Sequence, residues 1–307
     1  MKIQVSVVIP TYNEEQNIPL LYQRLKNTLK KTVSSYEMIF VNDGSIDNSL
    51  ERISILVKKD KNVKLISFSR NFGHMAAVSA GLAHAHGEKV VLMDADLQDP
   101  PEVIEKLYKK SLEGFDVVYG VKKNRKEGII KKAMFNLFYK ILNAVSAYKM
   151  PLNAGTFSLM DRKIVDILVS LPEKNKYLSG LRSWTGFSQT GVVYERQARN
   201  AGDASSLKKL TKLAMDGLIS FSYIPLRMAS ILGFITASVA LVAIFVVAAL
   251  RIFWGVGIIG WASTMSTILL VSGAQLITLG IIGEYLARIY DEVKNRPEYI
   301  IAQKKGF

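Results

Sequence analysis

The sequence contains no cysteine and three histidines among its 307 residues. The absence of cysteine excludes a disulfide framework and zinc sites built on thiolates. His84 and His86 are two positions apart on a predicted helix, so they do not face each other as a metal pair would. Neither a Gly-x-Gly-x-x-Gly fingerprint nor a Walker loop is present in the first 120 residues, so a nucleotide bound there would be held by side chains and a metal ion.

Negative charge is scarce as well. The chain has 26 Asp and Glu residues against 40 Lys and Arg residues, which gives a formal net charge of +14. A balance this basic favours anionic partners, which include nucleic acid, anionic lipid headgroups and phosphorylated substrates.

Charged residues are absent from two long stretches, 228–250 and 252–283. Each exceeds the roughly 20 apolar residues that cross the hydrocarbon core of a bilayer, so we predict two transmembrane helices. A glycine-rich piece bounded by Trp254 and Trp261 predicts a short extracytoplasmic loop at about 253–262. Basic residues flank the two spans on their outer sides, and the positive-inside rule then places both chain ends in the cytoplasm. These residues are Lys208, Lys209, Lys212 and Arg227 before the first span, and Arg288, Lys294, Arg296, Lys304 and Lys305 after the second.

Short apolar runs alternate with helical patterns over residues 1 to about 120, which is typical of βαβ units and an α/β fold with a parallel sheet. The predicted strands cover residues 5–9, 38–41, 63–68, 90–93 and 117–119, and the predicted helices cover about 15–30, 46–59, 73–85 and 101–113. Ligands of such folds bind at the carboxyl ends of the strands. Polar motifs follow the first four strands, so a site is expected there.

Two carboxylates, Asp94 and Asp96, follow the fourth strand at a spacing of i, i+2. In extended backbone, residues two apart share a face. Two close carboxylates repel each other when both are ionised, unless a cation lies between them. Mg²⁺ takes few carboxylates and completes its shell with water and phosphate oxygens. The alternative is a solvated polar turn before Pro100 and Pro101, which is the commoner meaning of an isolated Asp-x-Asp.

The strand-end motifs resemble those of the family 2 inverting glycosyltransferases of GT-A fold. They are Pro10-Thr11-Tyr12-Asn13-Glu14-Glu15, Asn42-Asp43-Gly44-Ser45-Ile46-Asp47 and Asp94-Ala95-Asp96-Leu97-Gln98-Asp99-Pro100-Pro101-Glu102. A fourth motif, Ser69-Arg70-Asn71-Phe72-Gly73-His74, is similar to that of the polyprenyl-phosphate glycosyltransferases, the relatives of dolichol-phosphate-mannose synthase. Together with the downstream segments and the two spans, the chain is most similar to the bactoprenol glucosyltransferases.

The resemblance implies a Rossmann-like nucleotide-sugar domain and a role for each matching residue. The nucleotide-sugar donor would contact Pro10, Tyr12, Glu14, Asp43, Asp47, Arg70 and Asp94. Asp96 and Gln98 would ligate Mg²⁺ or Mn²⁺, for which carboxylate and amide oxygens are suitable ligands. The implied catalytic residues are Asp94, Asp96, Arg125 and Lys131.

Residues 121–148 are strongly basic at first and then amphipathic. That order suits a helix in the membrane interface, and the alternative is an ordinary helix packed on the sheet after a solvated loop. In relatives this region holds the lipid phosphate, which makes Lys122, Arg125, Lys131 and Lys132 candidate acceptor-phosphate ligands. Arg199 joins them, with plain surface charge as its equal alternative.

We therefore divide the chain into a cytoplasmic GT-A catalytic domain (1–206), an interfacial amphipathic helix (207–227), two transmembrane helices (228–286) and a cytoplasmic tail (287–307). The expected location is the inner, or cytoplasmic, membrane as a multi-pass protein.

The expected reaction is inverting, metal-dependent transfer of glucose from UDP-glucose to polyprenyl (undecaprenyl) phosphate. The alternatives are the same reaction with GDP-mannose, UDP-N-acetylglucosamine or a 4-amino-4-deoxy-arabinose donor, and a non-catalytic membrane partner. Membrane lipids are expected partners and nucleic acid is not, because the cations cluster beside the spans. A homo-oligomer packed through Gly273, Gly280 and Gly283 and a downstream flippase stay open.

Overall fold

The computed structural model describes residues 2–123, 154–174, 176, 178–196, 224–254 and 260–307. The strands are β1 (Val5–Thr11), β2 (Tyr36–Asn42), β3 (Val63–Phe68), β4 (Lys89–Leu92), β5 (Val117–Lys123), β6 (Ala154–Asp161), β7 (Gln189–Glu195) and β8 (Ile301–Lys305). The helices are α1 (Ile18–Thr32), α2 (Ser49–Lys59), α3 (His74–His84), α4 (Val103–Ser111), α5 (Arg162–Ser170), α6 (Leu178–Trp184), α7 (Ile224–Trp254) and α8 (Trp261–Val293). The chain divides into two compact units, Met1–Ala214 with Arg296–Phe307, and Met215–Asn295.

One mixed sheet of order β7-β5-β6-β4-β1-β2-β3-β8 is the centre of the first unit. β1 pairs in parallel with β2 and β4, and β2 pairs in parallel with β3. The helices α1, α2 and α3 connect these four strands in turn. The predicted α/β class with its βαβ units is therefore confirmed, and the carboxyl ends of the four strands share one edge.

The strand predicted fifth does not lie beside the fourth. β6 runs antiparallel to both β4 and β5 and lies between them, with Ser158 in register with Leu92 on one side and Tyr119 on the other. The strand direction therefore reverses from β4 to β6 and again from β6 to β5, so β5 runs in the same direction as β4. β7 pairs with β5 in parallel and shares that direction. The inserted strand is distant in sequence from its neighbour β4, so the local pattern did not reveal it.

The sheet is buried because its central strands are continuous apolar runs. Every residue of β1 and β2 is buried, as expected of parallel strands that are covered on both faces. Leu21, Leu25 and Leu29 of α1 and Leu107 of α4 pack in the same hydrophobic cluster. This rigid core fixes the strand ends on which the candidate site lies.

The C-terminal residues, for which the sequence analysis predicted no strand, return to the sheet. β8 pairs antiparallel with β3 at the edge of the sheet, and the Tyr299 ring stacks on Phe68 with 5.0 Å between the ring centroids. Glu298 accepts a hydrogen bond of 2.8 Å from Ser79 Oγ and lies 3.4 Å from Lys176 Nζ. The tail thus covers a strand edge whose backbone groups would otherwise lack partners.

The second unit contains α7 and α8. Within them, Leu226–Val247 and Ser263–Val293 are long and apolar enough to cross a membrane by length and composition. Large apolar side chains such as Phe234 and Phe245 are 76% and 68% exposed. Most of the predicted interfacial helix (207–227) and half of the predicted loop (253–262) lie outside the described residues.

A buried carboxylate ties β2 to three other parts of the first unit. Glu37 is 1% exposed, accepts hydrogen bonds of 2.5 Å from Ser6 Oγ and 2.7 Å from the His86 backbone N–H, and forms an ion pair with Lys64. Burial by itself would raise the pKa of Glu37, but Lys64, Ser6 and the His86 amide together hold it below its ordinary value.

We expect Glu37→Gln to lower the free energy of unfolding by about 1.5–3 kcal/mol, the size of hydrogen bonds to a charged group. Since the folded pKa lies below the unfolded one, this contribution is complete above the ordinary Glu pKa of about 4.3 and is lost as pH falls through the folded pKa. Denaturant unfolding at neutral and acidic pH measures it. The matched control Glu105→Gln removes an exposed pair with Lys109 and should change little. Equal stability of Glu37→Gln and the wild type at neutral pH would contradict the assignment.

Candidate active site

The loops after β1 and β2 are joined by reciprocal hydrogen bonds. The Asn13 backbone N–H donates to Ser45 Oγ at 3.0 Å, and the Ile46 N–H donates to Asn13 Oδ1 at 2.9 Å. The Glu15 N–H donates to Asp47 Oδ2 at 3.1 Å, which ties the predicted nucleotide ligand Asp47 to the first loop. Asn13 adopts a φ of 54°, a left-handed conformation that Asn tolerates better than most residues. The two loops therefore form a single wall at the strand edge.

Asp43 supports the loop that follows β3. The Phe72 N–H donates to Asp43 Oδ1 at 2.7 Å, and the Gly73 N–H donates to Oδ2 at 3.0 Å. Burial raises the pKa of Asp43 in spite of these two amides. Gly44 approaches the same loop so closely that an added Cβ would lie 2.4 Å from the Arg70 carbonyl carbon. Asp43 therefore shapes the loop of Arg70, whose guanidinium lies 4.0 Å from the centroid of the Phe72 ring.

Asp94 has a partner that the sequence did not reveal. His74 is the first residue of α3, and its Nε2 lies 2.9 Å from Asp94 Oδ1. Burial would lower the pKa of His74, but the hydrogen bond and charge of Asp94 raise it above its ordinary value. Burial would raise the pKa of Asp94, but the hydrogen bond from His74, with the charges of His74, Lys122 and Arg196, keeps it low. The contact with His74 therefore favours the carboxylate form of Asp94.

Asp96 lies in a different environment. Its Oδ1 accepts a hydrogen bond of 3.1 Å from the Gln98 backbone N–H, and the intervening Leu97 has a φ of 60°. Burial, together with the charges of Asp94 and Asp99, raises the pKa of Asp96 above its ordinary value. The half-buried Asp96 carboxylate has no contact like that of Asp94 with His74 among the described residues, although the charge of Arg196 partly lowers its pKa. Hard oxygen donors in such a position suit Mg²⁺ or Mn²⁺.

No group of three or more His, Cys, Asp or Glu residues in the described part of the chain could hold a metal ion by itself. Asp96 and Gln98 would then supply two oxygen ligands, and the remaining ligands would come from water and substrate. That division is the usual one for Mg²⁺, which dehydrates reluctantly.

The predicted nucleotide ligands of the first loop have different surroundings. Pro10 is buried within β1, where it is in register with Val41, and Tyr12 is 44% exposed. Glu14 Oε2 accepts a hydrogen bond of 2.5 Å from Asn17 Nδ2. Tyr12 thus presents an accessible ring at the strand edge, whereas Pro10 shapes the backbone.

The acceptor-phosphate candidates are only partly described. Lys122 lies near the end of β5, in register with Tyr194 of β7, and its charge reaches Asp94. Arg125, Lys131, Lys132 and Arg199 lie outside the described residues. Four further residues contact this site or its loops but were not predicted as site residues from the sequence: His74, Asp99, Tyr194 and Arg196. The signal for His74 was its place at the end of the motif that contains Arg70.

The structure thus brings Asp94, Asp96 and His74 together at the edge where the parallel strands β1 to β4 end. Residues 6–168 match the family described as glycosyl transferase family 2, which defines the class of this protein as a glycosyltransferase. The chain belongs to this family. The predicted family, the α/β class and the enzyme class are confirmed.

Relatives match over the full length. The chain is 46% identical over 99% of its length to the uncharacterized glycosyltransferase YkcC of Bacillus subtilis (strain 168), of which 95% is covered. It is 39% identical to the SfII prophage-derived bactoprenol glucosyl transferase of Shigella flexneri, with 97% of each chain covered. Glucosyl-3-phosphoglycerate synthase from Mycobacterium tuberculosis, solved with Mn²⁺, UDP and phosphoglyceric acid, has a TM-score of 0.49 and 20% identity over 69% of this chain and 75% of that one.

We expect Gly44→Ala to destabilise the site loop by more than the roughly 1–2 kcal/mol that left-handed backbone costs an L-residue, because its Cβ also meets the Arg70 backbone. Gly114→Ala is the matched control, since Gly114 has a φ of 98° but no atom within 4 Å of an added Cβ. Unfolding free energies and amide exchange at Phe72 and Gly73 measure the difference. Equal effects of the two variants would contradict the close packing.

Proposed function

We propose that this glycosyltransferase moves glucose from UDP-glucose to the phosphate of a polyprenyl phosphate, at the cytoplasmic face of the membrane and with a divalent metal ion. The observation that carries the proposal is the pair Asp94 and Asp96, one held by His74 and the other without such a cation. Full-length similarity to proteins named bactoprenol glucosyl transferase supports the lipid acceptor and the sugar.

The residues around Asp96 fit a divalent ion. Its carboxylate is partly buried among the like charges of Asp94 and Asp99, and a cation there would relieve the repulsion that raises its pKa. Asp96 and Gln98 would hold the ion through oxygen. Mg²⁺ or Mn²⁺ in this position supplies positive charge against the charge that develops on the leaving diphosphate.

The chemistry is a single displacement. An oxygen of the acceptor phosphate forms a bond to the anomeric carbon of glucose, and the bond from that carbon to the UDP oxygen breaks. Its electron pair leaves with UDP, and the anomeric centre inverts. The acceptor phosphate is already anionic, so the site has no need to remove a proton, and its task is positioning and charge stabilisation.

In this proposal each group of residues has a separate task. Tyr12, Glu14, Asp47 and Arg70 contact the nucleotide, with Pro10 and Asp43 shaping the loops that carry these contacts. Asp94, fixed by His74, contacts the nucleotide-sugar. Lys122, Arg125, Lys131, Lys132 and Arg199 hold the acceptor phosphate, and Arg125 and Lys131 are the catalytic residues among them. With a different donor sugar, these residues would keep the same tasks. A second copy of the chain or a downstream flippase would not take part in the transfer step itself.

The test is transfer of radiolabel from UDP-glucose to undecaprenyl phosphate by the purified chain, with and without Mg²⁺ or Mn²⁺. We expect a metal-dependent lipid product, and Asp96→Asn should reduce turnover by a factor of about 100 or more, typical of losing one charge-stabilising group. Asp166→Asn, which alters an exposed carboxylate on α5, is the control and should keep full activity.

Absence of a lipid product with every donor, GDP-mannose and UDP-N-acetylglucosamine included, would overturn the proposal. A product with one of the other donors would replace glucose and leave the reaction class intact. An active Asp96→Asn variant would remove the metal role of Asp96.

We further propose that α7 and α8 span the membrane and that both chain ends are cytoplasmic. Because the chain has no cysteine, single cysteines report topology without background. In intact cells a membrane-impermeant thiol reagent should label Ile258→Cys, which falls in the loop that the sequence predicts at about 253–262. Lys61→Cys, at an exposed position between α2 and β3, should react only after permeabilisation. The reverse pattern, or equal labelling of both, would contradict this topology.

A further inference from the structure

A buried polar cluster lies where β7 ends, next to the candidate active site. Asp99 is 2% exposed, and the Tyr194 hydroxyl donates a hydrogen bond to its Oδ1. Arg196, the first residue after β7, has its Nε 3.7 Å from the same oxygen. Asp99 itself follows Asp96 and Gln98 on the loop after β4, so the cluster joins β7 to the proposed metal loop.

Tyr194 is held firmly in this cluster. Its ring packs edge-on against Phe157 of β6, with 5.6 Å between the ring centroids. Gly120 of β5 leaves room for it, because a Cβ there would lie 2.6 Å from Tyr194 Cε1. Burial and the charge of Asp99 raise the pKa of the Tyr194 hydroxyl, so the group stays a hydrogen-bond donor. Asp99 therefore keeps one orientation.

The topology brings Arg196 to the edge that carries the site. β7 is parallel to β5, and β5 has the direction of β4 because β6 is antiparallel to both. The residues that follow β4 and β7 consequently leave the sheet on the same side. The electrostatics agree with this placement. Burial is the largest influence on the pKa values of Asp94 and Asp96, and it raises both. The charge of Arg196 lowers both pKa values, as expected of a guanidinium near the two carboxylates.

The guanidinium keeps donors for a ligand. It has five N–H groups, and among the described residues its ion pair is with Asp99 through Nε. The side chain is 39% exposed, in contrast to the buried Asp99. A partly exposed guanidinium that forms an ion pair with a buried carboxylate is well suited to bind phosphate oxygens.

We propose that Arg196 binds a phosphate group of one of the two substrates, and that the Tyr194–Asp99 pair is the positioning pair that aims it. The inference rests on the proposed transfer to a lipid phosphate. The phosphate belongs either to the donor diphosphate or to the acceptor, and these share the chemistry that Arg196 recognises.

The experiment compares Arg196→Ala and Arg196→Lys with the wild type, in the full-length chain. We expect Arg196→Ala to raise the KM of one substrate, or to weaken binding of UDP with Mn²⁺ in calorimetry, by about 10- to 100-fold, as for the loss of charge-assisted hydrogen bonds. Arg196→Lys should restore part of the loss. Weakened UDP binding assigns the phosphate to the donor, and a raised polyprenyl-phosphate KM with unchanged UDP binding assigns it to the acceptor.

A control separates phosphate binding from loss of positive charge on the domain. Lys163→Ala removes a cation that pairs with Asp116 just before β5, at the opposite end of that strand, and should leave both KM values unchanged. Unchanged KM values and unchanged UDP binding in Arg196→Ala would overturn the proposal.

A double variant separates phosphate binding from simple neutralisation of Asp99. If Arg196 only offsets Asp99, Arg196→Ala with Asp99→Asn restores wild-type KM values, and that result would overturn the proposal. We expect the double variant to stay defective.

Tyr194→Phe keeps the ring and removes the hydroxyl, so it should raise the same KM as Arg196→Ala with the thermal unfolding midpoint little changed. A wild-type KM in Tyr194→Phe would refute the positioning role.

UDP binding also keeps this inference distinct from the proposed reaction. A wild-type chain that binds UDP but glycosylates no polyprenyl phosphate would refute the proposed function. A wild-type chain that is active while Arg196→Ala behaves identically would refute only the role of Arg196.

Discussion

The repulsion among three carboxylates on one short loop is the constraint around which this site is organised. Asp94, Asp96 and Asp99 follow β4 and lie within a span of six residues, and carboxylates this close repel one another unless positive charge or hydrogen-bond donors lie beside them. Asp94 has His74, and Asp99 has Tyr194 and Arg196. Asp96 has the backbone amide of Gln98, and its raised pKa marks the point where added positive charge is most favourable.

The partners of these carboxylates come from distant parts of the chain. The backbone amides of Phe72 and Gly73, just before His74, donate to Asp43, which follows β2. A residue after the second strand therefore positions the side chain that contacts Asp94 after the fourth strand. Arg196 is positioned because β6 separates β4 from β5 and returns β7 to the same direction. In the strand order, β3 and β7 lie on opposite sides of β4. His74, after β3, and Arg196, after β7, therefore approach the loop that follows β4 from opposite sides.

The catalytic unit also encloses the helical unit in sequence. Residues 296–307 belong to the same compact unit as residues 1–214, so α7 and α8 form an insertion between two parts of one domain. The returning segment does more than cover the edge of β3. Glu298 accepts a hydrogen bond from Ser79 on α3, the helix whose first residue is His74. The segment that follows the apolar helices is therefore in direct contact with a helix that builds the site.

The sequence by itself determined the elements whose signals are local. Apolar runs with period two or none predicted β1 to β5, charge-free stretches predicted two long apolar helices, and strand-end motifs predicted the family and the edge on which the site lies. These signals are readable because side-chain spacing and composition act over a few residues.

The tertiary structure alone decided which distant residues meet. The insertion of β6, the return of β8 to β3, the His74–Asp94 contact and the cluster of Asp99, Tyr194 and Arg196 each join segments far apart in the chain. Strand order and side-chain pairing depend on which hydrophobic faces and backbone edges are buried together, and no local pattern encodes that choice.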